Sequence, residues 1–448
     1  MHTNNFLDDS VAGIRIATKF LFIAMMSTSI VHAQPASPGN DPVAPGIMQG
    51  FPPSADKIVT KENTFRSPNL RWALQNTRLM SPTANIQHAR QPMPLPADHA
   101  AGLDKMQFIV GDTTVTLAEY LQKTHTDGFI VVHRGRVIYE RYFDSFTPDQ
   151  PHAWASMTKS VTGLMAAQLI DEGKLDPNAK LSEYVPELVD NPFGNATIQQ
   201  NLDMEVPVSY PSALPPDLGL FGAVGIAPRR DGAPDSIYDF LKVVRQTPNT
   251  SAGSVFYYQN GSPEAVAWAI RRITGKSWSK LTSESLWQYI AQDDGYVVVD
   301  RIATEMASGG LHSTLRDAAR FAELVRAGLA GGSSPFPGSA IRLALTPIAN
   351  QEKFAKGNVS AGRPGYSYHD YWYQVNDGNG SIMAGGRFGQ AILVNPKAEL
   401  TIVKFSSAPD LAPRAISVEA GKSSVQRSPL QTAEALTQVA RAILTLIK

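Results

Sequence analysis

WASMTKSVTGLMAAQLI, residues 154–170, is the stretch on which the fold turns. Two β-rich runs precede it, FIVV at 129–132 and RVIYERYF at 136–143. His133-Arg134-Gly135 separates them, a hairpin signal. Residues 161–170 then show apolar spacing of helical period and stop at Asp171-Glu172-Gly173, where Gly173 can close a helix. A strand pair therefore feeds a helix, and a polar turn holding Ser156 and Lys159 stands at the junction.

Outward from this junction the chain changes character. Residues 174–250 carry proline at 177, 186, 192, 207, 211, 215, 216, 228 and 234, which forbids long regular elements. Helices are predicted over 262–273, closed by Gly275, and over 314–329, after Gly309-Gly310. Strands return at 389–394 and 400–405, with a turn at Asn395-Pro396-Lys397 between them. An amphipathic helix over 431–447 ends the sequence. Strands early and late, with helices between, predict an α+β fold. Its antiparallel sheet is flanked by terminal helices and takes a mainly helical, loop-rich insertion. The expected main body is 105–448, with the sheet from about 105–155 and 300–448 and the helical part from about 156–299.

The first hundred residues read differently. Arg15 and Lys19 precede an apolar run at 20–26, and Val31-His32-Ala33 has the small-residue character of a cleavage site. Residues 1–33 are expected to be an export signal, which puts the mature protein in a secreted or periplasmic setting. The run is too short to span a membrane, and no other stretch approaches about 18 apolar residues. Residues 34–104 read as a Pro-rich leader and extension, with a short helical patch around Leu70 to Leu74.

Composition removes several functions. Lys+Arg and Asp+Glu are both 40, so bulk charge recruits neither nucleic acid nor an anionic membrane. The absence of cysteine excludes disulfides, thiol nucleophiles and thiolate metal sites. The nine histidines lack ligand spacing and there is no H-E-x-x-H, so no metal is expected. No Gly-rich phosphate loop follows a strand, and no cofactor is expected. G-x-S-x-G is absent, which argues against an α/β-hydrolase.

Ser-x-x-Lys occurs three times, as Ser54–Lys57, Ser156–Lys159 and Ser277–Lys280. Only Ser156 opens an apolar helix after a strand pair. Residues i and i+3 share a helix face, so the Ser156 hydroxyl and Lys159 amine can meet. The positive helix N-terminus and burial both disfavour the ammonium form, and a neutral lysine can take a serine proton. The Ser156 backbone N–H can also face a developing oxyanion. The same residues equally fit an N-cap serine with a solvated lysine. Tyr258-Gln259-Asn260 falls just before the second helix. A phenol near cations can shuttle a proton, and Asn260 can bond a carbonyl or the lysine. A core aromatic pair, Tyr257 and Tyr258, with a helix-entry asparagine fits as well. Gly385-Gly386-Arg387 opens a late strand where backbone can approach a ligand, or where a bulge can sit. His312 reads as a structural or rim residue.

Taken in order, Ser156-x-x-Lys159, Tyr258-x-Asn260 and the Gly-rich strand at 384–390 resemble the serine β-lactamase and penicillin-binding-protein superfamily. The Tyr-x-Asn motif is similar to that of its class C β-lactamase and family VIII esterase branch. DEGKLDPNAKLSEYVPEL and ASGGLHSTLRDAARFAELV look like connecting segments of that branch. NLRWALQNTRLM, NLDMEVPVSY and GRFGQAILVNP are similar to segments of 6-aminohexanoate-dimer hydrolases. The resemblance implies Ser156 as nucleophile, Lys159 as base and Tyr258 as proton shuttle. The amides of Ser156 and Arg387 would form the oxyanion hole, with Asn260, Gly386 and Tyr210 at the substrate. It implies a small amide or ester as substrate: a linear aminohexanoyl amide, or a small ester as for a carboxylesterase. A weakly catalytic binder of cell-wall peptides is the third expectation. Residues 211–235 depart from the family, and Ala384-Gly385-Gly386 replaces the Lys-Thr-Gly whose lysine helps hold the carboxylate of β-lactams. Oligomeric state is not legible.

Overall fold

In the computed structural model, residues 46–211, 216–332, 334–409 and 428–447 are described. The expected export signal at 1–33 lies outside them. The elements that build the site are, in chain order, helix α1 (Asn69–Gln75), strands β1 (Thr83–Ile86), β2 (Thr126–His133), β3 (Arg136–Tyr142) and β4 (His152–Ala153), and helices α2 (Thr158–Asp171) and α3 (Gly261–Thr274). There follow β5 (Gly295–Val298), β6 (Leu311–Ser313), α4 (Leu315–Leu329), β7 (Ser367–His369), β8 (Trp372–Gln374), β9 (Ile382–Gly386), β10 (Gln390–Asn395), β11 (Leu400–Ser406) and α5 (Ala433–Leu446).

Seven strands form one antiparallel sheet in the order β7-β8-β9-β10-β11-β2-β3. The predicted hairpin is β2–β3, turned through Arg134 at φ 51° and Gly135 at φ 73°. That pair of positive values suits a tight hairpin turn. Closure comes from β11 against β2, where Val403 faces Ile130 and Leu400 faces His133. Helix α4 packs on β11, β2 and β10 and buries Phe321, Leu324 and Val325. Each such side chain is worth about 1.5–3 kcal/mol of transfer from water. Thr314 caps α4 by accepting the Asp317 N–H. The mixed α+β architecture with a large antiparallel sheet is thus as the sequence implied.

A second sheet, β1-β5-β6-β4, has no local sequence signal. Its strands are two to four residues long and meet only by long-range pairing, as in Ile86 opposite Gly295 and His312 opposite Ala153. It matters because β4 ends immediately before Trp154.

Residues 46–104 pack onto the body. Arg71 of α1 reaches the fully buried Asp127, with Nε 2.6 Å from Oδ1 and 2.9 Å from Ser407 Oγ. His152 Nε2 lies 3.0 Å from the other carboxylate oxygen. Burial alone would raise the Asp127 carboxyl, but His152 and Arg71 hold it below the usual carboxylate range. His312 proves structural: it is buried, stacks on Tyr296 at 4.4 Å, and sets Nε2 2.9 Å from Thr77 Oγ1. Burial pushes its pKa down to about 3.

Helix α2 is buried on nearly every face, including Thr158, Lys159 and Ser160. Gly163 explains how it fits. A Cβ there would lie 2.2 Å from the Asp370 carbonyl oxygen, so only glycine admits the turn between β7 and β8.

Candidate active site

Ser156 lies in a 3₁₀ turn, Ala155–Met157, that leads into α2. Ala155 before it has φ 46°, a left-handed value that alanine rarely takes. Neighbours impose this turn. The Trp154 N–H donates to the Leu311 carbonyl at 2.9 Å, and the indole N–H to Ser313 Oγ at 2.8 Å. Thr158 Oγ1 donates to the Ala155 carbonyl at 2.7 Å and accepts the Leu311 N–H at 3.1 Å. The Ser156 side chain caps neither this turn nor α2. Its residue is half-buried, within reach of a ligand.

Lys159 is only 1% exposed. Its Nζ lies 2.9 Å from Ser156 Oγ, 2.8 Å from Asn260 Oδ1 and 2.7 Å from the Ser308 carbonyl oxygen. It also sits 5.1 Å from the centre of the Tyr258 ring. Segments around residues 156, 260 and 308 thus converge on one amine; the Ser-x-x-Lys and Tyr-x-Asn motifs marked the first two, and the third was not read from the sequence. The solvated-lysine alternative is excluded by this burial.

Two further residues hold the convergence and were not read from the sequence. Glu264, in the first turn of α3, is fully buried and accepts the N–H groups of Ala307 and Ser308 at 3.1 and 2.8 Å. It thereby fixes the carbonyl that faces Lys159. Burial pushes its carboxyl up, while Ser308, Arg271 and the two amides favour the charge. The available signal was a glutamate within the apolar run SPEAVAW. Asn358 clamps Tyr258: its Oδ1 accepts the Tyr258 N–H at 2.8 Å, and its Nδ2 donates to the Tyr258 carbonyl at 2.9 Å. No local pattern marks it.

Gly385 and Gly386 end β9 instead of opening the next strand as the sequence suggested, and the turn Arg387–Gly389 separates them from β10. A Cβ on Gly386 would come 2.5 Å from the Trp154 carbonyl oxygen, so the strand touches the Ser156 turn because that side chain is missing. Arg387 follows at once, which places its backbone beside the turn. Its guanidinium lies near Phe65 and Phe388, 5.7 and 5.0 Å from the ring centres. Phe65 in turn stacks on Phe388 at 5.8 Å. Residues before the first helix therefore help wall this edge. Tyr210 follows a short strand and stacks on Phe240 at 5.9 Å.

A buried amine bonded to a half-exposed serine, set between the end of a sheet strand and a helical body, defines a serine-hydrolase type of site. The beta-lactamase family profile matches residues 116–421, and the chain belongs to that family of hydrolases. A 6-aminohexanoate-dimer hydrolase of Paenarthrobacter ureafaciens is 30% identical over 366 residues, 80% of this chain and 91% of that protein. A solved structure from Bacillus anthracis, provisionally assigned as a 6-aminohexanoate-dimer hydrolase, shares 32% identity with a TM-score of 0.76. The match covers 88% of this chain and 98% of that one. An octameric penicillin-binding protein homologue from Pyrococcus abyssi shares the fold, with TM-score 0.51, 14% identity and coverage of 74% and 76%. Among the described residues, no helix is long and apolar enough to cross a membrane.

Proposed function

We propose that the protein cleaves a linear amide of the aminohexanoate-oligomer type through an acyl-enzyme on Ser156. The observation that carries the acyl-enzyme route is that Ser156 Oγ, Asn260 Oδ1 and the Ser308 carbonyl oxygen all lie within 2.9 Å of Lys159 Nζ. Asn260 Oδ1 and the Ser308 carbonyl can only accept. With Lys159 deprotonated, the same geometry lets the amine donate to these two acceptors and turn its lone pair to the Ser156 hydroxyl. In that arrangement Lys159 is the base and Ser156 the nucleophile.

Attack forms the Ser156 Oγ–carbonyl bond as the hydroxyl proton passes to Lys159. The oxyanion is received by the amides of Ser156 and Arg387, and one such donor is typically worth about 10²–10³ in rate. Tyr258 then relays the proton to the departing amine, with the Lys159 cation near its ring. Water releases the acyl group by the same route in reverse. The 30% identity to a 6-aminohexanoate-dimer hydrolase supports the amide. The absence of a Lys-Thr-Gly lysine argues against efficient penicillin hydrolysis.

The test is a substrate panel on purified protein: aminohexanoate dimer and trimer, a p-nitrophenyl butanoate ester and a penicillin. Turnover of the oligomers above the other two is the expected result, and fluorophosphonate should label Ser156. Turnover of the ester alone would replace the amidase reading with an esterase one. The export reading of residues 1–33 is checked by sequencing the N-terminus of protein secreted from its native host.

A further inference from the structure

The face of Gly385 is bare, half-exposed and bordered by two groups. From the position a Cβ would take there, Arg363 Nη2 is 3.6 Å away and Tyr373 Cε2 is 3.7 Å. The Arg363 guanidinium lies over the Tyr373 ring, 4.4 Å from its centre. Tyr373 in turn stacks on Tyr258, with ring centres 6.5 Å apart and planes 17° from parallel. Arg363 donates to the Val359 carbonyl at 3.1 Å, and among the described residues no carboxylate lies within ion-pairing range of it. A guanidinium fixed on an aromatic face keeps its N–H edge for a planar anion. The loop that carries it is also the loop that clamps Tyr258, since Asn358 lies five residues earlier and Arg363 N–H closes on the Ser360 carbonyl at 3.0 Å.

We infer that Arg363 anchors a carboxylate on the leaving group of the substrate. This rests on the hydrolase reading above. The side follows from Tyr258: the group that hands a proton to the leaving amine is the one joined to Arg363 through Tyr373. Gly385 precedes Arg387 by two residues of extended backbone, roughly 7 Å. The carboxylate should therefore sit about that far from the scissile carbonyl, the reach of a chain of several methylenes. A cation from another segment thus stands beside the strand that lacks the Lys-Thr-Gly lysine.

The experiment uses two esters with the same acyl group, 3-carboxyphenyl butanoate and its carboxylate methyl ester. Their ratio of kcat/KM, charged over neutral, is compared in wild type, Arg363→Ala and Arg363→Lys. Arg363→Ala should lower the ratio about 10- to 100-fold, the range expected for a charged hydrogen-bonded pair, and Arg363→Lys should restore part of it. A ratio unchanged by Arg363→Ala overturns the assignment, even if both rates fall together. A second arm does not depend on turnover: calorimetric binding of 6-acetamidohexanoate to Ser156→Ala protein, with and without Arg363→Ala. Weaker binding of the carboxylate, with its methyl amide unaffected, supports the anchor; equal binding by both proteins rejects it. If wild type cleaves neither these esters nor the aminohexanoate oligomers, the acyl-enzyme reading fails while this arm still decides Arg363.

Discussion

Ser156–Lys159 and Ser277–Lys280 have the same spacing and both stand at the start of a helix, yet they do opposite things. Ser277 occupies an N-cap, with φ −67° and ψ 156°, and its Oγ accepts the Lys280 N–H at 3.2 Å. Its hydroxyl is committed to the backbone. Lys280 extends into solvent, 62% exposed, and comes no nearer than 4.0 Å to Glu284. Ser156 sits inside a 3₁₀ turn where its side chain caps nothing, and Lys159 is buried against oxygens from two distant segments. The motif is common to both. What separates them is whether the serine oxygen serves its own helix, and whether long-range partners desolvate the lysine.

The sharpest way to break the contrast is Ser156→Ala. Activity should fall by at least about 10³-fold while the thermal unfolding midpoint barely moves, since that hydroxyl caps no helix. Lys159→Met keeps the volume and removes the proposed base, and kcat should fall about 10²–10⁴-fold. Gly386→Ala tests the approach of the strand to the Ser156 turn. A Cβ 2.5 Å from the Trp154 carbonyl must push the strand away, and kcat should drop about 10²-fold with the fold intact by circular dichroism. At the other pair the readout reverses. Ser277→Ala should cost about 1 kcal/mol in denaturant unfolding and leave kcat/KM as in wild type. Lys280→Ala should change stability by less than about 0.5 kcal/mol. Loss of activity at either of these last two would mean that the surroundings of the motif do not decide its role.

What was legible in the sequence follows the same line. Elements with local periodicity were readable: the β2–β3 hairpin, α3 with Gly275 at its end, α4 after Thr314, and the β10–β11 pair. Ser156, Lys159, Tyr258 and Asn260 were readable as a set because short motifs carry them. The second sheet was not, since strands of two to four residues have no period. Helix α2 was expected from residue 161 but begins at Thr158, because its first turn is polar and buried, satisfied by residues as distant as 308 and 311. Glu264, Asn358 and Arg363 stayed hidden for that reason too. Each acts through a backbone or a ring that only the tertiary fold brings near.

The pairing of β2 with β11 has a consequence in time. Val403 sits opposite Ile130 across some 270 residues of intervening chain. A ribosome emits about 5–20 residues per second, so β2 waits on the order of tens of seconds for its neighbour. Until then β2, a run of buried Phe129, Ile130, Val131 and Val132, has an open edge. Asp127, at the start of that strand, also lacks the Ser407 hydroxyl until the same moment. A nascent chain halted between about residues 160 and 400 would carry the Ser156 turn and no closed sheet, which makes this strand the place where stalled or truncated chains should aggregate first.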